Sequence, residues 1–307
     1  MPNYMYGKLK FEGDPNDIDA LKNHIRSADS VFDFNTLIPM PDSLNITDGS
    51  MTSDCIIAYL RAVNPHNPFI VPNHPKILPT EFDNLVNLII KNGQSYWTDA
   101  INKDPSYLQQ PVQDLKSIDT GKIYVDNLVN YGHMTWYSWR CEHWNTKWNA
   151  CDSEYQPDGT LTFSTAWAAP MPVIDELARK FPNVKIRFEY CEEFIGSCVG
   201  LAEYENGSII NDVCYNDCSR EAIEMACEFT GCTPDDLNMI LDPYTNTYIS
   251  KDDIQEFISV PKLSPCVLTI RNIKTGTTTT IRERIPDTER EKIIERNDFS
   301  LWQTIMT

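Results

Sequence analysis

Apolar and polar positions alternate along residues 4–11, with Met5, Leu9 and Phe11 set against Tyr4, Tyr6, Lys8 and Lys10. A two-residue period sends successive side chains to opposite faces, so the segment is expected to be a strand. Asp14-Pro15 then offers an N-cap and a proline for the first turn, and Ile18, Leu21 and Ile25 follow at helical spacing. A helix over 15–26 is the result. The same alternation returns at 160–165 (Leu161, Phe163) and at 184–190, where Val184, Ile186, Phe188 and Tyr190 interleave with Lys185, Arg187 and Glu189. Between these lies a helix over 172–181, carrying Ile174, Leu177, Ala178 and Phe181. Residues 198–204 continue as a strand, and Asn206-Gly207 turns the chain back through 208–213.

Two stretches break this rhythm. Residues 36–145 form a mostly helical insertion: Asp54 to Ala62, the apolar face Phe82, Leu85, Val86, Ile89 and Ile90, and Asp119 to Asn130 are its helices, with a Pro-rich loop over 64–79. Residues 211–307 form a C-terminal appendage. Helices are expected over 219–231, from Thr233-Pro234 onward and over 287–296, and a hairpin over 266–281 around Lys274-Thr275-Gly276. The class is α+β, with residues 1–210 as one domain holding the insertion.

Charge changes the picture next. The 307 residues carry 26 basic and 44 acidic side chains, a net −18. That disfavours wrapping a nucleic-acid backbone, which needs a basic stripe. The acids concentrate late: Glu203 to Glu256 holds thirteen acids and two bases. Tyrosines interleave with them, so Asp235, Asp236, Asp252 and Asp253 with Tyr244 and Tyr248 are the candidate partner-binding residues, an acidic rim around aromatic anchors. The start of the chain lacks the basic flank and apolar run of an export signal, and no stretch is apolar enough to span a bilayer. A cytoplasmic location with reduced thiols is expected.

Five of the seven tryptophans fall within 136–167. Each is large and carries a donor that needs a partner when buried. A docking seam between the insertion and the sheet accounts for them. The sharper alternative is a recognition pocket, with Trp139, Arg140, His143, Lys147, Trp148 and Trp167 as its ligand-binding residues.

This segment also carries a resemblance. Trp136-Tyr137-Ser138-Trp139-Arg140 with His143-Trp144-Asn145-Thr146-Lys147-Trp148-Asn149-Ala150 resembles the signature of the YubB-type ferredoxin-like domain family of bacteriophages and conjugative plasmids. Phe32-Asp33-Phe34-Asn35 with Ile38-Pro39-Met40-Pro41, and Phe163-Ser164-Thr165-Ala166-Trp167 with Pro170 and Pro172, match its pattern too. Asn145 stands where the pattern has glycine, though asparagine also accommodates positive φ. The resemblance covers the first 45 or so residues and 130–205. It implies a ferredoxin-like antiparallel sheet with two packed helices, and a mobile-element setting in which accessory proteins blunt host defences. It implies no reaction.

The chemistry of the remaining residues agrees. Cys214, Cys218, Cys227 and Cys232 lack the paired spacing of zinc ribbons, and Cys141 and His143 stand two apart on a helix, pointing in different directions. No nucleophile elbow or phosphate-cradling glycine loop occurs. No catalytic residue, metal or cofactor is therefore expected. The leading expectation is a non-enzymatic protein that binds and inhibits a host defence protein with a basic surface, for example a CRISPR nuclease. The alternatives are a small-molecule or nucleotide-binding module using the tryptophan pocket, and an enzyme of unrecognised type.

Overall fold

The computed structural model describes residues 3–92, 99, 104–112, 114–242 and 245–252, and the backbone of 263–272, 278–286 and 302–306. Two compact units are present, one of residues 1–194 and 198–214, the other of 195–197 and 215–307.

The first unit is organised by a six-stranded antiparallel sheet. Its strands are β1 (Tyr4–Glu12), β2 (Cys151–Tyr155), β3 (Leu161–Ala166), β4 (Lys185–Glu192), β5 (Gly200–Glu205) and β6 (Ser208–Cys214), in the order β2-β3-β1-β4-β5-β6. Helices α1 (Pro15–Ile25) and α6 (Met171–Lys180) close the two crossovers. The order β2-β3-β1-β4, with helices after β1 and β3, is the ferredoxin-like arrangement, and β5 and β6 extend it by a hairpin. The strands expected at 4–11, 160–165, 184–190 and 198–204 thus share one sheet. The sequence did not mark β2, a five-residue strand whose register with β3 is interrupted by a bulge.

One face of this sheet holds the core. Met5 and Leu9 of β1, Leu161 and Phe163 of β3, and Ile186 and Phe188 of β4 pack with Leu21 and Ile25 of α1 and Ile174 and Leu177 of α6. Gly7 is required at the centre: a Cβ there would lie 2.6 Å from the ring of Phe163 and 3.0 Å from that of Phe188. On the other face, charged side chains run across the strands. Arg187 bonds Glu189 at 2.7 Å and Glu203 at 2.6 Å, and Lys10 lies 3.8 Å from Glu189.

The insertion has a second core of its own. Helices α2 (Ser50–Val63), α3 (Pro79–Asn92), α4 (Leu115–Tyr131) and α5 (Trp136–His143) fall within or at the end of the stretch expected to be helical. Phe82 and Ile89 of α3 are buried, and Leu85, Val86 and Ile90 are partly so. Helices α2 and α4 approach closely at Gly121, where a Cβ would overlap the carbonyl oxygen of Cys55. Asn64 and Asn67 close the Pro-rich loop, each donating from Nδ2 to a backbone carbonyl, Asn64 to Leu108 at 2.9 Å and Asn67 to Arg61 at 2.8 Å.

The second unit contains α7 (Arg220–Thr230), a hairpin of β7 (Met239–Asp242) and β8 (Thr247–Ser250), and a three-stranded sheet of β9 (Leu263–Asn272), β10 (Thr278–Pro286) and β11 (Trp302–Met306). Ser219 caps α7 by accepting from the Ala222 amide at 3.2 Å, and Gly231 ends it at φ +71°. Strands β9 and β10 are the hairpin expected over 266–281. Its turn at Lys274-Thr275-Gly276 and the helix expected over 287–296 lie outside the described residues. The helix expected from Thr233-Pro234 is instead a turn leading into β7. Asp236 accepts from both the amide and the hydroxyl of Thr233, a closed local ring that competes with helix propagation. Among the described residues no helix is long and apolar enough to cross a membrane.

Candidate binding surfaces

The tryptophan segment divides into an inner and an outer group. Trp144 is fully buried, and its Nε1 donates to the carbonyl of Ile38 at 2.9 Å. Its ring stands edge-on to Phe34, centroids 5.6 Å apart, which ties the 34–38 segment to α5. Trp139 is buried beside it, 5.7 Å away. Asn145 takes φ +61° at the end of this turn, and its Nδ2 donates to the Ala169 carbonyl at 2.9 Å. Asparagine thus adopts the conformation for which the family pattern has glycine.

Arg140 belongs to the inner group. Its guanidinium lies 5.0 Å from the ring centroids of both Trp136 and Trp144, and its Nε is buried without a hydrogen-bond partner. Burial pulls the pKa of this group down, and the charge of Asp33 pulls it back up. Asp33 itself is also desolvated, which raises its pKa. Hydrogen bonds from Asn149, Asn35 and Ser27 outweigh that and leave it lowered overall. His143 completes the inner group, with Nδ1 3.0 Å from the Trp139 carbonyl.

The outer group is Lys147, Trp148 and Trp167, joined by Tyr137. The ammonium of Lys147 lies 5.0 Å from the Trp167 ring and 5.8 Å from those of Tyr137 and Trp148. Trp148 is half-buried, and Trp167 is 44% exposed. Trp167 also sits at φ +76°, an uncommon conformation for a bulky residue, and is held there by its amide bonding the Asn3 carbonyl at 2.9 Å. The six ligand-binding candidates therefore split: Trp139, Arg140 and His143 turn inward, while Lys147, Trp148 and Trp167 reach the surface.

The acidic candidates of the second unit are partly engaged within the chain. Asp235 is ion-paired with Lys251. Asp236 holds the turn at Thr233. Asp252 is exposed. Tyr248 is half-buried next to Glu224, and burial followed by that carboxylate raises its phenol pKa. Tyr244 and Asp253 lie outside the described residues. Sequence reasoning passed over the acids of α7. Glu221, Glu224 and Glu228 are exposed, while Ala222, Ile223, Ala226 and Cys227 form the buried side of the same helix. Their three- and four-residue spacing was the available signal.

Three of the thiols, Cys141, Cys151 and Cys191, are poorly suited to nucleophilic work. Burial raises the pKa of Cys141 and Cys151, and pushes that of Cys191 up to about 12. A protonated thiol is neither a nucleophile nor a metal ligand. Cys227 and Cys232 meet, with sulfurs 3.5 Å apart. Among the described residues no group of three or more His, Cys, Asp or Glu side chains is placed to hold a metal.

A family model described as the ferredoxin-like domain in Api92-like protein matches residues 143–233. No curated protein matches. Among solved structures, the crystal structure of a protein api92 from Yersinia pseudotuberculosis is 12% identical, covers 70% of this chain and 99% of that chain, and has a TM-score of 0.35. Over residues 143–233, from the end of α5 to just past α7, this chain is thus similar to the ferredoxin-like domain of Api92-like proteins.

Proposed function

We propose that this chain is a non-catalytic binding protein that docks on the basic surface of a partner protein through the acidic face of its second unit. The observation that carries the reading is the row Glu221, Glu224 and Glu228 along the exposed side of α7, with Tyr248 beside Glu224. Like charges at these spacings each cost an isolated helix about 0.2–0.5 kcal/mol. Arg220 pairs with Glu224 at 2.8 Å, so three carboxylates outnumber one cation on this side of the helix. Such an acidic row next to an aromatic side chain suits a basic, nucleic-acid-binding partner, whose approach it would steer. The resemblance to a family of phages and conjugative plasmids supports placing the chain in a host cytoplasm, as an accessory protein that inhibits a defence protein such as a CRISPR nuclease.

The test compares wild type with the triple variant Glu221→Lys, Glu224→Lys, Glu228→Lys as baits in a bacterial extract. A partner captured by wild type, released by salt and lost from a variant of unchanged thermal stability is the expected result. Equal capture by both baits overturns the reading.

A second reading rests on the outer aromatic group. The Lys147 ammonium has ring faces around it and no carboxylate partner among the described residues, and the conformation of Trp167 is of the uncommon kind that concentrates at functional sites. A small anionic aromatic ligand fits that chemistry. Native mass spectrometry of the purified protein, with Lys147→Ala as control, tests it.

A further inference from the structure

The last turn of α1, the loop after it and the bulge of β2 line an open cleft of about 670 Å³ in the first unit, away from the tryptophan segment. That volume suits a molecule of nucleotide or sugar-phosphate size. Lys22 and Arg26 stand one helical turn apart on its wall. Neither is in an ion pair among the described residues. The ammonium of Lys22 rests 4.8 Å from the Tyr155 ring centroid, which holds it at the rim. A cation at a helix C-terminus is favoured by the dipole, which accounts for one of the two. Arg26 is the C-cap residue, and its charge next to Lys22 is unfavourable unless an anion lies near both; Asp29 of the following loop lines the same cleft.

The opposite wall is built for hydrogen bonding. Ser30 and Ser153 face each other with hydroxyls 2.9 Å apart, fastening the loop to β2. Asp152 sits at φ +50° within the β2 bulge, a residue type that tolerates the left-handed region but adopts it only where the local structure requires. Bulges of this kind re-aim side chains beside functional sites. Carboxylates accept from sugar hydroxyls and cannot bind phosphate, so the cleft has a cationic and an acidic part with different roles.

We infer that this cleft binds a small phosphate monoester, with Lys22 and Arg26 on the phosphate and Asp152 on hydroxyls of the sugar. Asp29 and Asp152 line the cleft as well as the two cations, so it has no net positive charge to hold a long polyanion, and only the Lys22 and Arg26 side offers charge-assisted contacts to a single phosphate. The monoester has two sources, a nucleoside monophosphate or a simple sugar phosphate. The experiment is isothermal titration of the full chain with adenosine monophosphate, glucose 6-phosphate, inorganic phosphate, adenosine and glucose. Binding of at least one of the two esters is expected, with adenosine and glucose silent. The better ester names the source. In Lys22→Gln/Arg26→Gln the affinity should fall about tenfold or more, as for loss of charge-assisted hydrogen bonds. Both substitutions are at solvent-facing positions, and circular dichroism checks that the variant is folded. Three results overturn the inference: no heat from either ester at millimolar concentration, unchanged affinity in the folded double variant, or inorganic phosphate bound as tightly as the esters.

Discussion

The imidazole of His143 lies flat on the indole of Trp139, with ring centroids 4.3 Å apart and planes 6° apart. The two are one helical turn apart on α5. Their stack presents an edge to His133, whose ring is 5.5 Å from His143. His133 is buried, with Nδ1 3.1 Å from the Ser138 hydroxyl and Nε2 3.2 Å from a carboxylate oxygen of Glu142. Burial lowers its pKa, Glu142 partly restores it, and His143 lowers it again.

That arrangement sets a pH dependence. The folded pKa of His133 lies below the ordinary value of 6.5, so the unfolded chain takes the proton first as pH falls. Stability is therefore fully present above about pH 6.5 and declines as pH falls from there to the folded pKa. Urea unfolding at pH 7 and pH 5 should show a smaller loss for His133→Gln than for wild type. Parallel losses would assign the dependence to other groups.

The tryptophans should differ in energetic weight. Trp144 is fully buried with its donor satisfied, so Trp144→Ala should cost about 3–5 kcal/mol. Trp148 is only half-buried, and Trp148→Ala should cost about 1–2 kcal/mol. Denaturant midpoints give the ranking directly. The reverse order would mean that the outer group, not the Trp144 wedge, holds the 34–38 segment in place.

Gly121→Ala tests packing against propensity. In an exposed helix interior alanine is better than glycine by about 1 kcal/mol. Here a Cβ would overlap the Cys55 carbonyl of α2, so the variant should instead lose about 1–3 kcal/mol through strain. A stabilised Gly121→Ala protein would show that α2 and α4 can separate at no cost.

The strands that carry the core were legible because one face is apolar and the other is not. Leu9 and Ile186 sit in the core, while Lys10 and Arg187 sit on the charged face, so the period of two survives tertiary packing. Strand β2 escaped notice because its sequence, Cys151-Asp152-Ser153-Glu154-Tyr155, has no buried face: every residue is exposed or half-exposed. The turn at 233–238 read as a helix because Thr-Pro-Asp-Asp is also a helix start. Only the side-chain ring between Asp236 and Thr233, with the β7–β8 hairpin next along the chain, decides otherwise. At the surface, composition located the acidic region but not its exposed row. Asp235 is paired with Lys251, a residue 16 positions away that becomes its neighbour only once β7 and β8 pair.

The docking proposal makes a kinetic prediction. Glu221, Glu224 and Glu228 are exposed on α7, so they act on a partner chiefly before contact, by steering. Association should slow as salt rises from low to physiological strength, where charges beyond about 8 Å are screened. Reversing the three glutamates to lysine should lower the association rate by more than it raises the dissociation rate. Folding should change by no more than about 0.5 kcal/mol per site, because α7 keeps its buried side of Ala222, Ile223, Ala226 and Cys227. Tyr248→Ala should act in the opposite sense. The ring lies beside Glu224 and, as an anchor, would slow dissociation once contact is made, so its loss should shorten the lifetime of the complex with little effect on its formation. Surface-based kinetics at two salt concentrations, against the protein that the pull-down returns, separates these effects. If association is independent of salt and the reversed helix binds as fast as wild type, the acidic face serves solubility, and recognition passes to the Lys147 and Trp167 surface.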